Sequence, residues 1–198
     1  MKLFCATKNP GKVREFQMAA RHFGRETDLE IEMLPGLDAI DPPEETGSTF
    51  AENAALKAIY YSQFCDGTVF ADDSGLAVDA LNGAPGIYSA RFAGEGAGDA
   101  ENNALLMDRM RGQAVRSARF LCAIAVAREG KLLGTFEGAV EGEMLDAPRG
   151  RGGFGYDPLF FYPPFACTLA EVDEARKMNV SHRGKALAAM LAGMPEPY

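Results

Sequence analysis

Leu3-Phe4-Cys5-Ala6 is an unbroken apolar tetrapeptide that runs through Asn9-Pro10-Gly11-Lys12 into Val13, Phe16, Ala20 and Phe23, spaced three or four apart. The run reads as a buried strand, and the spacing after it as a helix with one apolar face. Asn9 suits the N-cap, and Pro10 suits the first helical position, where its missing N–H costs nothing. A strand that feeds straight into a helix commits the chain to layers of sheet and helix.

The pattern continues in the same sense. Ile31–Leu34 reads as a second strand, and Thr49 with Glu52 makes a capping box for a helix that opens after Gly47-Ser48. Val69-Phe70-Ala71 reads as a short strand stopping at Asp72-Asp73-Ser74-Gly75, and residues 83–98 as a glycine-rich loop. Asp99 is the expected cap of a helix to Met110. Phe120–Ala127 and Lys131–Phe136 read as strands joined at Glu129-Gly130, with Val140–Met144 extending the meander. Thr168 with Glu171 suggests a further capping box, and a last helix starts near Ser181 with Leu187, Met190 and Leu191. Alternating elements followed by a run of strands predict an α/β fold on a mixed sheet, one domain over residues 1–198 or two lobes sharing a core.

Composition narrows the partners. With 20 Lys+Arg against 28 Asp+Glu the net charge is −8 over 198 residues, which argues against a chain that grips nucleic acid through phosphates. The longest clean apolar run, Phe120–Ala127, is far shorter than a membrane span, and Leu3–Ala6 is too short for a signal-peptide core. Cys5, Cys65, Cys122 and Cys167 are scattered without a C-x-x-C pair, which suits reduced thiols in the cytoplasm. A local basic pocket for a small phosphorylated ligand remains compatible with all of this.

Five segments carry candidate chemistry. Thr7-Lys8-Asn9-Pro10-Gly11-Lys12 opens a helix, whose N-terminus favours anions; Ala6 and Val13 stand where a Walker A loop needs Gly and Ser/Thr, so a P-loop is excluded. Asp72 and Asp73 are adjacent, and neighbouring strand side chains point opposite ways, so the two carboxylates should have different jobs: one on Mg²⁺, the other orienting a loop or ligand. Glu44-Glu45 precede the helix that holds Lys57. Gly152-Gly153-Phe154-Gly155-Tyr156-Asp157 brings glycines beside aromatics able to stack on a base. Lys177 through Arg183 place His182 and Arg183 in a first helical turn, where basic residues need an anion nearby. Each segment alone is also what an ordinary capped helix, turn or core edge would show.

Taken in order, T-K-N-P-G-K, E-E-T-G-S-T-F-A-E-N-A, A-D-D-S-G-L, G-A-P-G-I-Y-S-A-R, G-F-G-Y-D-P and V-S-H-R-G-K-A-L closely resemble the inosine/xanthosine triphosphate pyrophosphatases, over residues 3 to about 192. The resemblance implies a twisted mixed sheet with two lobes around a nucleotide-binding cleft. It also implies Mg²⁺-dependent hydrolysis of dITP, ITP or XTP to monophosphate and pyrophosphate by a cytoplasmic homodimer. By motif, Thr7, Lys8, Asn9, Pro10, Gly11 and Lys12, with Lys57, would hold the triphosphate. Glu44, less so Glu45, and Asp73 would bind Mg²⁺; Asp73 would also be the proton acceptor and Ser74 a substrate contact. Phe154, Gly155, Tyr156, Asp157, Lys177, His182 and Arg183 would surround base and sugar. Residues 99–116 carry no such motif. The competing expectations are a pyrophosphatase of related fold for dTTP, UTP or modified pyrimidines, and a non-catalytic nucleotide-binding protein.

Overall fold

The computed structural model describes residues 1–25 and 29–194. Its layering follows from the two-residue period of its strands. In β3 (Thr68–Val78) Phe70 enters a core with α1 (Pro10–His22) and α5 (His182–Gly193), while Val69 and Ala71 enter another with α2 (Phe50–Tyr61). β4 (Ser117–Arg128) repeats the split: Cys122, Ile124 and Val126 lie with Phe70, and Ala123, Ala125 and Ala127 with Val69. Neighbouring strand side chains leave on opposite faces, so a run that looks uniformly apolar in sequence is a strand covered by helices on both sides.

β1 (Lys2–Cys5) pairs in parallel with β2 (Glu30–Met33) and with β3, Leu3 lying opposite Ile31 and Thr68. β5 (Lys131–Met144), β6 (Phe160–Tyr162) and β7 (Cys167–Thr168) pair antiparallel. The sheet is therefore mixed, in the order β2-β1-β3-β4-β5-β6-β7, and flanked by helices as expected. Glu129 and Gly130 connect β4 to β5 with φ of 52° and 75°, the positive pair that a two-residue hairpin turn requires.

The chain divides into two compact units. The first comprises Met1–Asp73, Cys122–Gly138 and the segment from Met178. The second comprises Ser74–Leu121 and Ala139–Lys177. It has its own core, in which Leu106 and Met110 of α3 (Asp99–Met110) meet Leu76, Val78, Phe120, Val140, Leu159 and Phe160.

Several expectations need adjustment. β3 does not stop at Asp72 but runs through the acidic pair to Val78; Gly75 lets it pass beside Ser89, whose hydroxyl accepts the Leu76 N–H at 2.9 Å. Lys131–Phe136 and Val140–Met144 belong to one strand. Gly98, not Asp99, caps α3, and Phe23 follows the end of α1 rather than sitting on its buried face. Glu171 does accept the Thr168 N–H, at 2.7 Å, yet this closes a turn after β7, and the short helix α4 begins only at Glu174.

Gly138 of β5 marks the closest approach of strand to helix. A Cβ there would run into the His182 carbonyl and the Ala186 N–H, backbone atoms that cannot rotate away. Gly138→Ala should cost about 1–3 kcal/mol in urea unfolding; an unchanged midpoint would show that α5 is not seated on this glycine.

Candidate active site

Strand parity decides where the two aspartates go. Asp72 shares the face of Phe70, turned to α1 and α5; Asp73 shares the face of Val69 and Ala71, turned to α2. Accordingly Lys12 Nζ of α1 lies 2.8 Å from Asp72 Oδ2, with Arg183 Nε of α5 at 3.7 Å from the same oxygen. Lys57 Nζ of α2 lies 3.0 Å from Asp73 Oδ1 and 2.9 Å from Glu45 Oε1. The two carboxylates therefore leave on opposite faces, as the strand period predicts, and meet different partners.

Local structure sets up each participant. Asn9 Oδ1 accepts from the Gly11 and Lys12 N–H groups at 2.8 and 3.3 Å, fixing the first turn of α1 from which Lys12 projects. Its own N–H donates to Thr7 Oγ1 at 3.2 Å. On the α2 side the expected capping box is present, with Glu52 N–H on Thr49 Oγ1 and Thr49 N–H on Glu52 Oε2. Asn53 locks the loop that carries Glu45: its Oδ1 accepts the Gly47 N–H at 2.8 Å, and its Nδ2 faces Asp73 Oδ2 at 3.4 Å. In α5 the hydroxyl of Ser181 caps the helix by accepting the Gly184 N–H at 3.0 Å. His182 and Arg183 follow it, both buried.

The basic residue misplaced at the start of α5 does have its anion, and the protein supplies it. Arg183 Nη1 lies 2.9 Å from Glu15 Oε2, with Asp72 beyond. Lys12 and Arg183 thus stand against Asp72 and Glu15 on one face of β3, and Lys57 against Asp73 and Glu45 on the other. Burial alone would raise the Asp72 carboxyl, but Lys12, Arg183 and Lys57 outweigh it and hold the group at about 2. At Asp73 burial wins over Lys57, so this carboxyl is more basic than an exposed aspartate. Burial opposes the charge on Lys57, yet Asp73, Asp72 and Glu45 keep the ammonium protonated.

Among the described residues no group of three or more His, Cys, Asp or Glu forms an all-protein metal cage. The fit to a hard divalent cation is instead that of two carboxylates from separate segments, Glu45 and Asp73, converging on one cationic position. Such ions keep waters and take phosphate oxygens as their remaining ligands. Glu44 is exposed; Glu45 is the member of the acidic pair that reaches Lys57. Lys8 is exposed, and Ser74 follows Asp73 half-buried in β3.

The remaining candidates lie in the second unit. Lys177 Nζ is 2.6 Å from Asp157 Oδ2, with both residues buried, and 5.3 Å from the Phe154 ring centre. Asp157 Oδ2 also accepts the Phe154 N–H at 3.0 Å, and Tyr156 donates its hydroxyl to the Ser89 carbonyl at 2.7 Å. Gly153 is required here, since a Cβ would run into the Asp157 carboxylate.

Glu15 escaped the sequence reading; the available signal was Arg183, which needed an anion, and Glu15 sits one helical turn after Lys12 on α1. Asn53 was visible only as a letter in a motif, because its role depends on a loop folding back onto the helix.

Residues 3–193 match the model of the Ham1 family. The chain is 51% identical to the dITP/XTP pyrophosphatase of Acidobacterium capsulatum, covering 98% of each. It is 49% identical to that of an Exiguobacterium species, covering 97% of this chain and 96% of the relative. A Ham1 protein structure from Staphylococcus aureus superposes with a TM-score of 0.84 at 38% identity, covering 97% of each chain. One from Coxiella burnetii gives 0.84 at 39%, with the same coverage.

Asp72 links this site to stability. Its folded value, about 2, lies below the ordinary 3.8, so its contribution is complete above pH 4 and is lost as pH falls toward 2. Wild type should lose about 2 kcal/mol more than Asp72→Asn over that interval. Parallel acid limbs in denaturant unfolding would show that Asp72 is not held by Lys12 and Arg183.

Proposed function

The chain belongs to the Ham1 family, and from that premise we propose that it cleanses the nucleotide pool by hydrolysing dITP, ITP and XTP to the monophosphate and pyrophosphate with Mg²⁺. It is a nucleoside-triphosphate pyrophosphatase acting on deaminated purine nucleotides, the activity named for its relatives over nearly their whole length. Residues 1–198 act in this reading as one catalytic domain, in a cytoplasmic homodimer. Light scattering at micromolar concentration tests the dimer.

The observation that carries the mechanism is the meeting of Asp73 and Glu45, carboxylates from separate segments, at Lys57. Such carboxylates repel a triphosphate unless further positive charge arrives with it. Asp73 and Glu44 are the residues to hold Mg²⁺, with Glu45, already bonded to Lys57, the weaker candidate. When bound, the ion screens the phosphate oxygens and makes pyrophosphate a better leaving group. Asp73 orients the water that attacks the α-phosphorus, and the activation of that water is shared with the ion. Ser74, next in the strand, is the adjacent substrate contact. Lys12 in the first turn of α1 and Lys57 in the interior of α2, fixed by Asp72 and by Asp73 with Glu45, meet phosphate oxygens. Thr7, Lys8, Asn9, Pro10 and Gly11 shape the loop before α1; the Gly11 and Lys12 N–H groups are already taken by Asn9, so this loop contributes shape and side-chain charge more than free amides.

Selectivity is assigned to groups that donate hydrogen bonds. Hypoxanthine and xanthine present a 6-oxo acceptor where adenine presents an amino donor. Arg183, immobilised by Glu15 and Asp72, with His182 beside it, is proposed to read that oxygen. A fixed donor left unpaired by the wrong base discriminates strongly. Phe154, Gly155, Tyr156, Asp157 and Lys177 are assigned to nucleoside recognition by the family likeness.

Pyrophosphate release should be fast from dITP and XTP, slow from dGTP, dATP and dTTP, and lost on removing Mg²⁺. Asp73→Asn should lower kcat by about 10²-fold or more with dITP. Preferential cleavage of dTTP would favour the pyrimidine reading, and no release from any nucleotide would favour a binding protein.

A further inference from the structure

Helix α3 carries no recognisable catalytic motif, yet two of its side chains grip both backbone polar groups of one residue in the loop that bears Phe154. Asp99 Oδ2 accepts the Gly155 N–H at 2.7 Å, and Asn103 Nδ2 donates to the Gly155 carbonyl at 2.9 Å. Four residues apart, the two side chains project from the same face of the helix. Both polar groups of Gly155 are therefore tied to one rigid element.

That tie matters because the residue held is a glycine. Gly155 has φ of +61° with open space where a Cβ would lie, so its conformation, and no crowding, selects glycine here. A glycine without external bonds would sample many conformations and swing its neighbours with it. The residues on either side are fixed in other ways. Phe154 has its N–H on Asp157 and its ring near Lys177, while Tyr156 is anchored to Ser89. Asn102, adjacent on α3, secures the segment around Ser89: its Oδ1 accepts the Ala93 N–H at 2.8 Å and its Nδ2 donates to the Ala90 carbonyl at 3.2 Å. Three side chains of α3 thus splint two loops at once.

We propose that Asp99 and Asn103 are positioning residues for nucleoside recognition, fixing the Gly155 peptide so that the half-buried Phe154 ring is presented to the base in a set direction. This rests on the reading in which the loop around Phe154 recognises the nucleoside. The pair acts through Phe154 and touches neither phosphate nor metal, so it governs affinity for the base and leaves the phosphoryl step alone. An aromatic held in place before binding loses less freedom on binding than one that must be ordered by the ligand.

Steady-state pyrophosphate release from dITP, with thermal melting of each variant, tests the proposal. Asn103→Ala and Asp99→Ala should each raise KM about tenfold with kcat within about twofold of wild type. Asp99→Asn keeps an acceptor oxygen for the Gly155 N–H and should restore KM. In a Phe154→Ala background Asn103→Ala should add less than about twofold, because the residue through which it acts is gone. Asp99 is exposed, so its variants keep the test intact if Asn103→Ala does not fold. A tenfold effect that persists without Phe154, a fall confined to kcat, or Asp99→Asn as impaired as Asp99→Ala would overturn the proposal. Wild type with no turnover of dITP would remove the underlying reading and this inference together, whereas active wild type with unchanged KM in the variants removes the inference alone.

Discussion

β3 carries Asp72 and Asp73 side by side, and the pleat of the strand sends them to opposite faces of the sheet. Everything in the first unit's charge network is arranged around that split. On one face α1 and α5 bring Lys12, Arg183 and Glu15 to Asp72; on the other α2 and the loop before it bring Lys57, Asn53 and Glu45 to Asp73. A one-residue slip of β3 would carry each aspartate to the opposite face, so that one carboxylate site would be taken by the other aspartate and the remaining one by Ala71 or Ser74. The alanines of β4 that face α2, and Gly138 beneath the first turn of α5, allow the helices close enough for their charged side chains to reach the strand.

The two aspartates differ chemically because their surroundings differ. Asp72 is buried among cations and stays ionised far into acid, as befits a fixed counter-charge for Lys12 and Arg183. Asp73 is buried with less compensation and is the more basic of the pair, the property wanted in a group that handles water and a metal ion. A buried ion network is a costly arrangement unless every charge is matched. Here Lys12 and Arg183 answer Asp72 and Glu15, and Lys57 answers both Asp73 and Glu45.

Much of this was legible in the sequence. The buried strand at Leu3, the Asn9 and Thr49 caps, the hairpin at Glu129-Gly130 and the opposite facing of Asp72 and Asp73 all follow from spacing and local chemistry. What was not legible depends on contacts between distant segments. Asp72-Asp73-Ser74-Gly75 looked like the end of a strand because its polar residues find their partners on helices that the local sequence does not show. Thr168 and Glu171 looked like a helix start because the same reciprocal bond also closes a turn. Glu44 and Glu45 are equivalent as letters; the bond between Gly47 and Asn53 folds the loop so that Glu45 reaches Lys57. Asp99 and Asn103 carried no signal, since their partner is the backbone of a glycine more than fifty residues away.

In the proposed mechanism a triphosphate enters the site only together with a divalent cation held at Asp73. Calorimetric titration with a dITP analogue whose α–β bridging oxygen is a methylene measures this directly, in Mg²⁺ and in EDTA. The account predicts binding at least about 100-fold weaker in EDTA, with most of that difference abolished in Asp73→Asn. Equal affinity with and without the cation would contradict it.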